Sequence, residues 1–270
     1  MHHPVLLKAV IDNLGIKKGG LYIDATYGEG GHSLEILKKE GKVLAIDTDF
    51  QQILNFKFQI SNWKNLTLVQ GNFKDIEKIA KENDFYPVDG ILFDLGLSIK
   101  QIQESGKGFS FKNSDEPLDM RLNNDLKIKA SDLINSLNKE DLYEILARYS
   151  EEINSRAIAD FIFRTRSLKK ILTVGDLVSV IEKAIGKKGE RVLRRIFQGL
   201  RIAVNDELEN LKKGLTGGLR LIKKDGKILV ITFHSLEDRI VKQFGAGKPI
   251  LGDRKLSFER SAKLRVISLG

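Results

Sequence analysis

One stretch of this 270-residue chain, LYIDATYGEGGHS at 21–33, restricts the folds open to it more than any other. The apolar run Leu21-Tyr22-Ile23 has the character of a buried strand and ends in Asp24. A turn carrying Gly28, Gly30 and Gly31 follows, and then a helical pattern with Leu34, Ile36 and Leu37. Strand, glycine turn and helix together bring backbone N–H groups close to a nucleotide-like ligand in α/β proteins. Glycine suits the turn because a Cβ would obstruct the approach or forbid the conformation. A second apolar run, Val43-Leu44-Ala45-Ile46, ends in Asp47. A carboxylate at that place, about 20 residues beyond the glycine turn, is where a ribose is hydrogen-bonded.

The turn departs from a dinucleotide fingerprint, since Ser33 stands where G-x-G-x-x-G anchored on Gly28 requires glycine. It resembles the acidic, glycine-rich first motif of S-adenosylmethionine-dependent methyltransferases. Leu66–Val69 is a third strand, with Gly71-Asn72-Phe73 at its tip. Phe73 either flanks a bound ring there or packs on the next helix. A fourth strand, Val88–Phe93, ends in Asp94. Asp24, Asp47 and Asp94 therefore stand at three strand ends, the edge of an open α/β sheet where ligands bind.

The alternation then stops. Between about Glu104 and Ile196 no buried strand is evident, and helices are expected over 130–137, 139–149, 151–165 and 174–185. Asn138 caps the second of these. Ile153, Ala157, Phe161 and Ile162 line one face of the third. Thr173 with Asp176 forms a capping box for the fourth, which Gly186 ends. These boundaries divide the chain into a first methyltransferase-like part at 1–103, a helical insert at 104–196 and a second part at 197–270. Beyond the insert, 206–222 is an amphipathic helix with Leu208, Leu211, Leu215, Leu219 and Ile222 in one stripe. Ile228–Ile231 is a fifth strand with Thr232-Phe233-His234-Ser235 at its tip, Ser235 capping the next helix. Lys263–Ser268 is a last strand at the sheet edge.

Lys and Arg number 45 against 36 Asp and Glu, a net charge of +9 that suits a polyanion such as RNA. Lys187, Lys188, Arg191, Arg194, Arg195 and Arg201 gather around Phe197 at the end of the insert. Phosphate contact is expected of the arginines, with Phe197 itself in the core. The absence of cysteine excludes disulfides, cysteine-ligated zinc and a cysteine nucleophile on a pyrimidine ring. Methylation of a base would then go to nitrogen or oxygen by direct displacement, or reach a ring carbon without the usual covalent adduct. His2 and His3 have no third ligand gathered near them in sequence, so no metal is expected. No apolar run nears the ~20 residues that span a bilayer, and a soluble cytoplasmic protein is expected.

Several stretches together are similar to the MraW family of small-subunit ribosomal RNA methyltransferases. They are PVLL at 4–7, YIDATYGEGGHS at 22–33, AIDTD at 45–49, DLGLS at 94–98, KGFSF at 107–111 and PLDMR at 117–121, followed by FQGLRIAVNDEL at 197–208, TFHSLEDRIVK at 232–242 and RSAKLR at 260–265. The resemblance implies a Rossmann-like class I methyltransferase with an inserted all-helical domain. It implies S-adenosylmethionine as cofactor, held by Gly30, Gly31, His32, Asp47, Phe73, Asp94 and Gln101. The implied substrate is the exocyclic N4 of a cytidine in the decoding region of 16S rRNA, within the small ribosomal subunit. For the proton leaving that nitrogen, Asp94 with Ser98 is the first candidate, and Asp119 and His234 follow. Arg191, Arg194, Arg195 and Arg201 would hold RNA. The sequence departs from the family pattern at Ile99 and Gln103 and in a short segment between Lys242 and Arg260. A nicotinamide-dependent oxidoreductase shares the strand–turn–Asp pattern but is opposed by Ser33. A non-catalytic RNA-binding protein would leave the strand-tip carboxylates without work.

Overall fold

In the inner strands neighbouring apolar residues point to opposite sides, and both sides are covered. The computed structural model describes residues 4–49, 63–97, 102, 105–253, 256 and 259–269. His2, His3, Ser98 and Gln101 lie outside the described residues, as does 50–60, where the sequence predicts a helix capped by Thr48-Asp49. The strands are β1 (Leu21–Asp24), β2 (Lys42–Asp47), β3 (Leu66–Gln70), β4 (Val88–Asp94), β5 (Ile222–Thr232), β6 (Ile250–Leu251) and β7 (Lys263–Ser268). The helices are α1 (Leu7–Leu14), α2 (Gly31–Lys38), α3 (Ile76–Glu82), α4 (Ala130–Ser136), α5 (Lys139–Ser150), α6 (Ser155–Leu168), α7 (Val174–Ile185), α8 (Glu190–Asn205), α9 (Glu207–Leu221) and α10 (Ser235–Gln243).

The sheet runs β3-β2-β1-β4-β5-β7-β6. The strands β1 to β5 are parallel, whereas β7 is antiparallel to β5 and β6 to β7. The two-residue β6 therefore lies outside β7, and β7 is not the edge strand expected from sequence. Ile23, Leu44, Ile46, Ile91, Phe93, Ile228 and Val230 form one layer with residues of α3, α9 and α10. Tyr22, Val43, Ala45, Leu92, Leu229 and Ile231 form the opposite layer with α1 and α2. Strands apolar on both faces are what a parallel sheet covered on both sides requires. Chain order reverses between β1 and β4, and such a switch point is where open sheets bind ligands.

Two details of this unit were not legible. In α9, Gly214 and Gly218 are buried on the sheet side and Gly217 against α3, and a Cβ on Gly214 would lie 2.9 Å from the Phe73 ring. The stripe of leucines is interleaved with small residues that let the helix sit close. The strand β5 starts at Ile222: Val88 pairs with Ile222 and Gly90 with Lys227, so Lys224-Asp225-Gly226, which the sequence reads as closing the preceding helix, form an irregularity inside the strand.

The chain divides into two compact units, Met1–Gly96 with Leu208–Gly270, and Leu97–Glu207. The second is the helical insert. The boundary expected at residue 196 falls inside α8, whose Leu193, Ile196, Phe197, Leu200 and Val204 all belong to the insert's core. Gly199 lets α8 cross α5 closely, since a Cβ there would lie 2.9 Å from the Ser150 nitrogen. The caps of α5 and α7 form as expected: Asn138 accepts from the Asp141 N–H, Thr173 from that of Asp176, and Gly186 closes α7 with φ +69°. The face of α6 differs. Its buried residues are Ser155, Ile158, Ala159 and Ile162, while Ile153 is 92% exposed. The helix begins four residues later than expected, and a stripe spaced strictly by four drifts off the buried side of a 3.6-residue helix.

Candidate active site

The glycine turn is shaped mainly by its own neighbours. Gly28 has φ +52° and Gly30, the N-cap of α2, has φ +75°, both in the left-handed region that glycine enters without strain. A Cβ on Gly30 would stand 2.6 Å from the Tyr27 hydroxyl oxygen. One on Gly31 would stand 2.2 Å from Pro4 Cγ. Gly31 is thus required by the segment preceding α1, which crosses over the start of α2. At Gly28 nothing but the Thr26 carbonyl comes within 4 Å.

The three strand-tip carboxylates have different surroundings. Asp24 is 1% exposed and accepts from Ser33 Oγ at 2.6 Å and from the Thr26 N–H at 3.3 Å. Burial pushes its carboxyl up to about 6 against the pull of these bonds. Ser33, the residue that breaks the dinucleotide pattern, is therefore the partner of the first carboxylate. Asp47 joins turn and sheet: Oδ2 accepts from the Gly28 N–H at 2.8 Å and Oδ1 from the Asp49 N–H at 2.8 Å. Burial raises it to about 6, opposed by those two bonds and assisted by the negative charges of Asp49 and Asp24. Asp94 is also raised to about 6 by burial, with Asp24 and Glu237 adding to the rise and His32 opposing it. Its backbone N–H donates to Thr26 Oγ1 at 2.6 Å. His32 is buried, its Nε2–H donating to the Val5 carbonyl at 3.0 Å, and its Nδ1 lies 3.9 Å from Asp94 Oδ2. Phe73 meets Phe93 edge-on at 5.7 Å and packs beside Gly214, so it belongs to the sheet layer at the tip of β3.

His234, and not Ser235, caps α10. Its Nδ1 accepts from the Glu237 N–H at 3.4 Å, and Glu237 Oε2 accepts from the N–H groups of Phe233 at 2.8 Å and His234 at 3.2 Å. This is a capping box. The residue type at 234 concealed it, although the glutamate three positions on was its sequence signal. Glu237 and Thr26 are the members of this region that sequence reading missed.

The remaining described candidates lie in the insert, and all but Arg191 are engaged there. Arg121 holds Asp119 by two bonds, Nε to Oδ1 at 2.7 Å and Nη2 to Oδ2 at 2.9 Å. That pairing keeps the Asp119 carboxyl below the usual range in spite of burial. Leu118 and Met120 on either side are buried in the insert's core, and Asn205 donates to the Met120 carbonyl. PLDMR is thus a structural staple. Arg201 makes a two-bond pair with Glu207 at 2.9 and 3.0 Å. Arg195 reaches buried Glu152 at 3.3 Å, and Arg194 pairs with exposed Glu190 at 3.4 Å. Among the described residues Arg191 makes no ion pair. Phe197 is buried as expected, edge-on to Phe111 at 6.0 Å. No helix among the described residues is long and apolar enough to cross a membrane.

Comparison with known proteins places this geometry. The MraW methylase family model matches residues 1–249. Ribosomal RNA small subunit methyltransferase H of Clostridium botulinum (strain Kyoto / Type A2) is 45% identical over 247 residues, which cover 89% of this chain and 80% of that protein. The protein of the same name from Halothermothrix orenii is 42% identical over 249 residues, covering 90% and 80%. A looser likeness in shape links the chain to an rRNA methylase structure from Streptococcus thermophilus, at 9% identity and a TM-score of 0.46 over the whole of both chains. By the extent of the family match and the identity to these relatives, the chain belongs to the MraW methylase family.

Proposed function

We propose that this chain uses S-adenosylmethionine to methylate the exocyclic N4 of a cytidine in the decoding region of 16S rRNA, acting on the small ribosomal subunit in the cytoplasm. Beside family membership, one observation carries the reading. Asp47 and Asp94 stand on either side of β1 at the switch point, with buried Asp24 between them, and all three carboxyls are raised to about 6. Burial is the first cause in each, negative neighbours add to the rise at Asp47 and Asp94, and a cation placed among them offsets both effects. A ligand bearing a sulfonium and an ammonium fits such a donor set. Each Asp47 oxygen also keeps a lone pair beyond its one backbone bond, enough for ribose hydroxyls.

When bound, the cofactor supplies an electrophilic methyl group on sulfur. The protein's share is to hold, orient and deprotonate the acceptor. Cytosine N4 is a weak nucleophile because its lone pair is delocalised into the ring, and correct orientation alone contributes ~7–11 kcal/mol. Asp94 is the proton acceptor in this reading, since a carboxylate with a raised pKa is the better base. His234 serves less well. With Nδ1 accepting the cap N–H, the neutral ring carries its proton on Nε2 and offers no free lone pair. Ser98 and Gln101 retain the roles implied by resemblance, and Arg191 with Lys187 and Lys188 is the RNA contact of the insert. Asp119 is assigned to the insert's framework.

The test is transfer of labelled methyl to small subunits from cells lacking the enzyme, with free 16S rRNA offered in parallel. Digestion to nucleosides and mass spectrometry should yield N4-methylated cytidine, as such or with a 2′-O-methyl group. Label confined to carbon 5 or to ribose overturns the reading. Asp94→Asn should lower turnover far more than it disturbs folding, and cofactor affinity measured in that variant separates binding from proton transfer.

A further inference from the structure

We infer that Glu237 is a positioning residue for this methyl transfer, fixing the Phe233–His234 turn against the loop that follows β4 and setting the charge around Asp94. The inference rests on the proposed function. Glu237 is 3% exposed, and Oε2 takes both N–H groups of the turn. The turn is rigid because the helix beneath it is anchored: Arg265 on β7 holds Asp238 through Nε at 2.5 Å, and Lys242 reaches the same carboxylate at 3.2 Å. Phe233 in turn rests on Gly96, where a Cβ would lie 2.7 Å from the ring. The Leu95 N–H bonds to the Ile231 carbonyl at 3.1 Å, and the Gly96 N–H reaches Asp94 Oδ1 at 3.4 Å. A continuous set of contacts therefore runs from Glu237 through Phe233 and Gly96 to Asp94.

Charge gives a second link. Among the described residues, the titratable groups that bear on Asp94 are His32 from α2, Asp24 from β1 and Glu237 from α10. Glu237 is the one of these that also holds backbone at the tip of β5. A glutamate serving only as a helix cap would fix the turn without changing how Asp94 titrates, which makes the two roles separable.

The experiment compares wild type, Glu237→Gln and Gly96→Ala. Cofactor affinity is measured by calorimetry from pH 5 to 8, and single-turnover methylation of small subunits is measured at saturating cofactor over the same range. Glu237→Gln keeps an oxygen for the two N–H groups and removes the charge. The acid limb of both profiles should move to lower pH by roughly half a unit, the order expected of one like charge across a partly hydrated site. Gly96→Ala displaces the Phe233 ring, so the plateau rate should fall by roughly tenfold or more while the limb stays in place. An unmoved limb in the first variant overturns the electrostatic role, and an unchanged plateau in the second overturns the positional one. Should Glu237→Gln fail to fold, Glu237→Asp withdraws the carboxylate by one methylene and should move the limb in the same direction by less. Wild type that binds cofactor but labels no RNA refutes the proposed function and still leaves the limb of binding readable. A working wild type with unmoved limbs in the variants refutes the role of Glu237 alone.

Discussion

Replacing Ser33 by alanine tests the buried carboxylate that organises the glycine turn. Ser33 Oγ donates to Asp24 Oδ2 at 2.6 Å, and both residues are almost fully buried. A hydrogen bond to an ionised group is worth ~1.5–3 kcal/mol, and one between neutral groups about 1 kcal/mol. The cost of the substitution therefore depends on whether Asp24 is charged. Its folded pKa of about 6 lies above the ordinary value of 3.8. Between those values the folded state binds more protons than the unfolded chain, so this group's contribution to stability falls as pH rises through the window. Below it Asp24 is neutral in both states. Above it the folded protein holds a buried charge that Ser33 helps to stabilise. The Ser33→Ala deficit should accordingly be about 1 kcal/mol at pH 5 and ~1.5–3 kcal/mol at pH 8. At roughly 2–4 °C per kcal/mol for a chain of this size, the gap between variant and wild-type melting temperatures should widen by several degrees. Thermal unfolding at the two pH values reads it. The double variant Asp24→Asn/Ser33→Ala should lose the pH dependence of the gap, because no charge remains to be supported. An equal deficit at pH 5 and pH 8, or none at either, refutes the reasoning.

Other consequences follow from the same geometry. Cofactor affinity should rise with pH by about tenfold between pH 5 and 7.5 and then level off, because raised carboxyls must lose their protons to receive a cation. The neutral thioether product, measured by the same calorimetry, should show a weaker rise. Replacing Lys187, Lys188, Arg191 and Arg194 together by alanine should flatten the salt dependence of small-subunit binding and leave cofactor affinity alone. An unaltered salt slope would make that stretch an ordinary solvated surface. Arg121→Leu should destabilise the insert by about 2–3 kcal/mol by stripping Asp119 of its partner, read as an earlier urea transition with cofactor binding retained.

Much of the sheet was legible because β1, β2 and β4 are short apolar runs that end in aspartate, and period and length were enough to place β1 to β4. The caps of α5 and α7 were legible for the same local reason, as Asn138 and Thr173 carry their signals within four residues. What sequence concealed depends on distant partners. Asp119 resembles a candidate acid until Arg121 is seen to fold back on it. Gly31 resembles a ligand contact until Pro4 is found above it. Arg201 belongs to a basic run in the sequence and to a half-buried pair with Glu207 in the fold. The buried face of α6 is not legible because nothing in the sequence marks Ser155 as its first residue, and a helix face cannot be assigned without its start.

The distribution of charge bears on how RNA is held. Residues 97–207 contain 20 Lys and Arg against 17 Asp and Glu, so the insert supplies only +3 of the chain's net +9. Several of its arginines are already committed to carboxylates or carbonyls, Arg121, Arg166, Arg195 and Arg201 among them. Counterion release scales with the phosphates neutralised by available cations, and a paired arginine must first give up its partner. The electrostatic part of RNA affinity should therefore come from the methyltransferase unit at least as much as from the insert. The insert's contribution is then better sought in shape, since RNA recognition rests heavily on folded surfaces and 2′-hydroxyl contacts. Such a division of labour would have the cationic unit draw the subunit in and the helical unit select where on it the acceptor base is presented.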